Sequence, residues 1–160
     1  MNGGHQPIKR IKELAPLSVE HHDGLMLVWK IRQGLRNGTP IHTIADYIQW
    51  FWTNHLEQHF HDEKVVLAPY LPKGDEMIEK MLEDHEELES MVRINEAIPD
   101  KEMMIRFADA LHEHIRFEER KLFPYAEQVL SREDLEGIYN KLHKETKESS
   151  SWSNEFWIRR

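Results

Sequence analysis

The chain has 160 residues, of which 39% are hydrophobic and 31% are charged, a composition typical of one folded domain. Its net charge of −8 disfavours nucleic-acid binding, which needs a basic surface. It contains no cysteine, which excludes disulfides and thiolate metal ligands and fits a cytoplasmic protein. No apolar run approaches the roughly 20 residues of a membrane span, and the first residues lack the apolar stretch of a signal peptide. We therefore expect no membrane partner.

Breaker and capping residues divide the chain into helical blocks. Ser18, Thr39 and Asp75 are placed to cap helices, and Ser131 followed by Asp134 resembles a capping box. We predict a leader over residues 1–16, a helical domain over residues 17–130, and a C-terminal helix and tail over residues 131–160. The predicted helices cover residues 18–35, 41–68, 76–96, 101–130 and 131–147.

Apolar residues recur along the first four blocks at the i, i+3, i+4, i+7 spacing of a helix with one buried face. No segment alternates in the manner of a β-strand. Because the connections are short, the prediction is an all-α, up-down antiparallel four-helix bundle with a short extra C-terminal helix. The aromatic tail residues, which would dock on the bundle or on another subunit of a homo-oligomer, are Trp152, Phe156 and Trp157.

A pair of chemically active residues occurs twice. His59 and Glu63 are four residues apart in the second helix, and His114 and Glu118 repeat this spacing in the fourth. Each pair projects from one helix face. In both helices a proline follows the glutamate by six residues and a tyrosine follows the proline. The repetition indicates a functional motif, since a lone pair of this kind is commonly a surface interaction.

The other two helices carry histidines near their buried faces. His85 lies in the middle of the apolar face of the third helix. On the first helix, His21 lies at the centre of the face, and His22 lies about 100° away at its edge. Both remain candidates, with His21 facing the core better. Folding the bundle would therefore bring four imidazoles and two carboxylates to one interior point.

Imidazole and carboxylate ligands suit iron, manganese and zinc. Two carboxylates can bridge two cations while histidines fill terminal positions, which leaves sites open for dioxygen, nitric oxide or water. The sequence thus predicts a metal pair in the bundle interior. The competing interpretation is a structural bundle whose buried polar groups satisfy one another without metal.

The segment from His114 to Pro124 resembles the last-helix motif of the hemerythrin-like, or HHE cation-binding, domain. The segment from His59 to Pro69 is a looser copy, with Lys64 and Ala68 where glutamate and phenylalanine are frequent. The resemblance spans residues 17–126. It implies a di-iron centre, with zinc or manganese as alternatives. The ligands that it implies are His59, Glu63, His85, His114 and Glu118, with His22 matching the pattern around the family's first histidine.

Two departures bear on the function that the resemblance implies. Oxygen-carrying hemerythrins have a further histidine where this chain has Glu89, and their last-helix carboxylate is an aspartate five residues after the histidine. Glu118 lies four residues after His114, as in the bacterial branch. We expect Glu89 to be solvated and His55 to be a candidate for orienting a ligand.

The resemblance implies a protein that binds or senses dioxygen or nitric oxide, or that buffers iron. The alternative is a di-iron enzyme that acts on peroxide or nitric oxide, or in iron-centre repair. Repair proteins related to this domain carry a cysteine-containing segment, which this chain lacks.

Overall fold

The computed structural model describes residues 10–142 and 151–159, and within these ranges the chain is helical with no β-strand. Two of the helices change winding along their length and are treated as single helices. The five helices are α1 (Ala15–Arg36), α2 (residues 41–70), α3 (Glu76–Ala97), α4 (residues 101–129) and α5 (Arg132–Leu142).

Helices α2 and α4 contain wider π-helical turns. Those in α2 are Trp52–Leu56 and Glu63–Leu67, and the one in α4 is Glu118–Leu122. A proline lies just beyond the last two, and its ring would clash with the carbonyl four residues earlier in a regular α-helix. The wider turn accommodates it, and π-helical turns frequently occur at functional sites.

Two of the predicted helix caps are wrong. Helix α1 begins at Ala15, without a side-chain cap, because Pro16 in its first turn needs no hydrogen-bond acceptor. Ser18 instead donates to Oε2 of Glu119 at 2.7 Å. Helix α2 begins after Pro40, also without a side-chain cap, and Thr39 turns toward the C-terminal tail.

The caps of α3 and α5 are confirmed. Oδ1 of Asp75 accepts the backbone N–H of Met77 at 2.8 Å, and Oγ of Ser131 accepts the backbone N–H of Asp134 at 3.0 Å. Each bond satisfies a donor that the first turn of a helix leaves free. Helix α5 is described as far as Leu142, and its predicted continuation lies outside the described residues, as do His5 and His143.

The predicted four-helix bundle is confirmed. Helix α1 packs along α2 and α4, and α3 packs along the same two helices. Helices that follow one another in the chain are therefore neighbours, and α4 returns to pack against α1, as in an up-down arrangement. Helix α5 is the extra C-terminal helix.

The core is divided into two apolar clusters. One includes Ile31, Trp52 and Phe107, and the other includes Leu17 and Phe123. Along the bundle helices, His21, Glu63, His85 and Glu118 fall in sequence between the residues of the two clusters. His59 and His114 lie at the edge of the first cluster, one turn before the two glutamates. The helix packing therefore places a polar centre between two water-excluding layers.

The C-terminal tail docks on the bundle of its own chain. Phe156 is buried and packs against Tyr47, with ring centroids 5.3 Å apart. Nδ2 of Asn37 donates to the carbonyl oxygen of Trp157 at 3.1 Å. The sequence left open whether the tail docks on the bundle or on another subunit, and in the structure it docks on the bundle. Among the described residues, no helix is both long and apolar enough to span a membrane.

Candidate metal centre

Six side chains from the four bundle helices meet in the interior. All six are buried, with at most 8% of each residue exposed. Their nitrogen and oxygen atoms form two groups, each with atoms within 4.8 Å of one another, and both groups include Glu63 and Glu118. The first group adds His21 and His59, and the second adds His85 and His114.

In the first group, both imidazoles direct Nε2 toward the shared carboxylates. Nε2 of His21 lies 2.7 Å from Oε1 of Glu118 and 3.7 Å from Oε2 of Glu63. Nε2 of His59 lies 3.4 Å from Oε1 of Glu63 and 4.0 Å from Oε1 of Glu118. The two rings approach edge to face, with centroids 4.7 Å apart.

The second group has the same arrangement. Nε2 of His85 lies 3.0 Å from Oε1 of Glu63 and 3.4 Å from Oε2 of Glu118. Nε2 of His114 lies 2.9 Å from Oε2 of Glu118. Each carboxylate therefore faces histidines of both groups, a placement that would allow two cations to share it.

The two repeated pairs owe their placement to local helix geometry. His59 and Glu63 lie one turn apart on α2, as His114 and Glu118 do on α4, so each pair faces the same direction. A π-helical turn starts at each of the two glutamates. The backbone departs from regular winding at the residue whose carboxylate the two groups share.

Outer carboxylates orient two of the rings. Nδ1 of His59 donates to Oε1 of Glu20 at 2.9 Å, and Nδ1 of His114 donates to Oδ2 of Asp84 at 3.0 Å. Such contacts set the ring tautomer and leave Nε2 free to act as a ligand. Sequence reasoning missed both acids. The available signal was that each directly precedes the single buried histidine of its own helix.

His21 has a more extensive support. Its Nδ1 donates to Oε2 of Glu119 at 2.6 Å, and its ring stacks on Phe123 with centroids 5.2 Å apart. Glu119 in turn accepts from Ser18 and from Arg10, whose Nη2 also donates to the Glu119 carbonyl oxygen at 2.6 Å. Glu119 thus holds the imidazole at Nδ1 and Phe123 covers one face of the ring, while Ser18 and Arg10 hold Glu119 in place.

The interior of the site contains polar atoms without hydrogen-bond partners. Their angles do not suit hydrogen bonds, although several lie within about 3 Å of one another. Those atoms are Nε2 of His59, His85 and His114, both carboxylate oxygens of Glu63, and Oε2 of Glu118. Unpartnered buried polar atoms are costly, and a divalent cation coordinated by them removes that cost. The residues therefore fit a metal ion.

Charge interactions within the site shift the pKa values of its members. Burial opposes the charged form of His59, but the Glu63 carboxylate and the bond to Glu20 outweigh it and raise the pKa to about 9. Burial likewise opposes the charged form of His114, but Glu118 and Asp84 raise its pKa to about 10. Without a cation, protons therefore take the place of metal on these rings.

The carboxylates respond in the opposite direction. Burial and the neighbouring Glu118 charge oppose ionisation of Glu63, yet His59 and His21 lower its pKa to about 2. Burial also opposes ionisation of Glu118, but the charge of His114 and the hydrogen bond with Nε2 of His21 hold its pKa well below the usual value. Both groups are anionic at neutral pH and available to a cation.

The remaining candidates lie elsewhere. His22 is exposed and lies outside both groups. Glu89 turns to the surface, where it pairs with Arg93 one turn along α3, as expected of a solvated residue. The ring of His55 packs against the ring of Phe51, with centroids 4.8 Å apart.

Four histidines and two glutamates buried at the centre of a four-helix bundle define a helical protein with a site suited to metal ions. A family model described as Hemerythrin HHE cation binding domain matches residues 12–126, more than half of the chain. The chain belongs to this family. Searches of curated proteins and of solved structures each returned no match.

Proposed function

We propose that the chain is a non-haem di-iron protein that binds or senses dioxygen or nitric oxide, or that buffers iron. The observation that carries the proposal is the pair of overlapping ligand groups with two carboxylates in common. One cation would be held by each group. The proposed ligands are His21 and His59 for one cation, His85 and His114 for the other, and Glu63 and Glu118 for both.

Two considerations support iron. Imidazole and carboxylate are ligands that iron accepts readily, although zinc and manganese accept them too, and the family relationship favours iron among the three. An iron pair, when bound, supplies redox chemistry and open coordination positions for a diatomic molecule.

The protein's own residues prepare such a site. The apolar clusters on either side exclude water, which strengthens electrostatic interactions between the cations and the glutamates. Glu20, Asp84 and Glu119 hold three imidazoles through Nδ1, so the rings need little reordering when a cation binds. This preorganisation favours binding of metal over a loosely packed polar core.

Metal analysis of anaerobically purified protein tests the proposal. We expect two irons per chain, one for each ligand group, and absorption bands of a bridged iron pair after exposure to air. Zinc-loaded and manganese-loaded samples are the controls for metal identity. The proposal would be contradicted if the protein were purified without metal and added iron left its melting temperature unchanged. A purely structural bundle would then remain.

A second measurement separates binding from catalysis. The reduced, iron-loaded protein is exposed to dioxygen or nitric oxide and followed by absorption. A reversible adduct supports the binding or sensing role. Sustained turnover of peroxide or nitric oxide would instead show an enzyme.

A further inference from the structure

We infer that the two positions differ in their affinity for a cation. The position at His21 and His59 fills first and holds its cation tightly. The position at His85 and His114 holds its cation more weakly and exchanges it with solvent. The first is the His21 position, and the second is the His85 position. This inference rests on the proposed two-metal site. It concerns the residues behind the ligands, which differ between the two halves of the bundle.

The first difference is the hydrogen bond at Nδ1. His21 donates from Nδ1 to Glu119 at 2.6 Å, whereas within the described residues no carboxylate accepts from Nδ1 of His85. The partner histidine is supported in both groups, by Glu20 for His59 and by Asp84 for His114. Of the four imidazoles, only that of His85 therefore lacks a carboxylate at Nδ1 in the part of the chain that the structure describes.

The internal repeat explains this difference. Glu119 and Phe123 follow the motif histidine of α4, and both contact His21. The corresponding residues of α2 are Lys64 and Ala68. A lysine cannot accept a hydrogen bond from an imidazole N–H, and an alanine offers no ring on which to stack. Among the described residues, the His85 side therefore lacks the carboxylate at Nδ1 and the ring that corresponds to Phe123, and a different residue, Phe60, stacks on His85.

His21 is also more closely enclosed by neighbouring side chains than His85. Arg10, with only 6% of its side chain exposed, closes the His21 side by pairing with Glu119 and Glu127. His85 instead lines a surface depression of about 240 Å³ together with Lys64. Phe60 stacks on the His85 ring at a centroid distance of 4.0 Å and covers one of its faces.

These contacts act on cation affinity through known effects. A carboxylate at Nδ1 fixes the ring and makes Nε2 a stronger ligand, and its loss typically reduces metal affinity by about 10- to 100-fold. His85 has no such carboxylate within residues 10–142 and 151–159, because Lys64 stands where α4 has Glu119. The missing contact weakens the His85 position relative to the His21 position, and the depression beside His85 provides a route for exchange with solvent.

Cobalt titration of the full chain tests the inference. Co²⁺ is added to chelator-treated protein, and binding is followed by its visible absorption and by the paramagnetically shifted imidazole N–H signals in NMR spectra. We expect two binding steps whose dissociation constants differ by about tenfold or more. The Nδ1–H signals of His21 and His59 should shift in the first step, and that of His114 in the second.

Two reciprocal variants identify the cause. Glu119→Gln should weaken the first step by about 10- to 100-fold and leave the second nearly unchanged. Lys64→Glu should lower the dissociation constant of the second step. Lys64→Gln, which removes the lysine charge without adding a carboxylate, should lower it less. Glu113→Gln, on the exposed face of α4, is the matched control and should change neither step.

Equal affinities in the unaltered protein would overturn the inference, as would an equal weakening of both steps by Glu119→Gln. In either case two cobalt ions would still bind, and the proposed two-metal site would stand. Absence of any cobalt binding would instead contradict the proposed site itself, and the inference with it. If Glu119→Gln fails to fold, failure of Lys64→Glu to strengthen the second step would still overturn the inference.

Discussion

Nε2 of His21 lies 2.7 Å from Oε1 of Glu118, a residue 97 positions further along the chain. The contact joins α1 to α4 in the middle of the bundle, where both side chains are buried. The other oxygen of Glu118 faces His114 at 2.9 Å and His85 at 3.4 Å. This carboxylate of α4 thus contacts α1 and α3 as well as a histidine of its own helix, and it faces both proposed cation positions.

Replacing Glu118 by alanine should therefore affect both positions. We expect Glu118→Ala to lose bound metal and to lower the melting temperature of the loaded protein, because bound cations stabilise the folded state. In the metal-free protein, the change leaves buried histidine charge without its partner and should cost about 3 kcal/mol of folding free energy. Metal analysis and calorimetry measure the two effects. Glu113→Ala is the exposed control on the same helix, and retained metal in Glu118→Ala would remove this residue from the site.

The adjacent histidines of α1 provide a matched comparison. His21 is buried in the first ligand group, and His22 is exposed. We expect His21→Ala to reduce bound metal and to weaken cation binding at its own position, since a ligand is lost. His22→Ala should leave both metal content and melting temperature unchanged. Metal analysis of the two variants side by side decides the outcome, and loss of metal from His22→Ala would contradict the assignment.

The stability of the metal-free protein should depend on pH in a defined direction. The pKa of His59 is raised from 6.5 to about 9 and that of His114 to about 10. Their stabilisation is complete below pH 6.5 and is lost as the pH rises through these values. The pKa of Glu63 is lowered from 4.5 to about 2, so its contribution is present above pH 4.5 and is lost as the pH falls toward 2.

We therefore expect the melting temperature of chelator-treated protein to be highest between about pH 4.5 and about pH 6.5 and to fall at higher pH. The metal-loaded protein should show the opposite alkaline trend, because cations bind the deprotonated imidazoles. Calorimetry of both forms over the same buffers measures the divergence. Parallel curves for the two forms would contradict the assignment of these histidines.

The docked tail should contribute to the stability of the bundle. Phe156 is buried against α1 and α2, and a Cβ added at Gly34 would come within 2.6 Å of its ring. We expect Phe156→Ala to destabilise the fold by about 3 kcal/mol, through lost burial and the cavity left behind. Gly34→Ala should also destabilise it, because the ring must move. Denaturant unfolding measures both, with Ile158→Ala as the exposed control, and unchanged stability in Phe156→Ala would show that the docking is energetically unimportant.

Several features of the site followed from local pattern. The repeated histidine and glutamate spacing identified the side chains of α2 and α4 that meet in the interior, because residues four apart share a helix face regardless of the rest of the fold. The position of His85 on its apolar face had the same basis. Local pattern failed at two helix ends, since Ser18 and Thr39 have the chemistry of caps but make tertiary contacts instead.

Other features depended on which helices become neighbours. Glu20 lies beside His21 in the chain but bonds to His59 on another helix, and no local pattern specifies such a pairing. Glu119 was visible as part of a motif, yet its role at His21 appears only when α1 and α4 pack together.

The amino-acid sequence by itself determined that the chain is an all-helical bundle and which face of each helix carries imidazole or carboxylate groups, because helical periodicity is a local property. Only the tertiary structure decided that His21 rather than His22 lies in the cluster, and which acid supports which ring. Those outcomes depend on the rotation and depth at which the helices pack, and close packing of side chains throughout the core sets both.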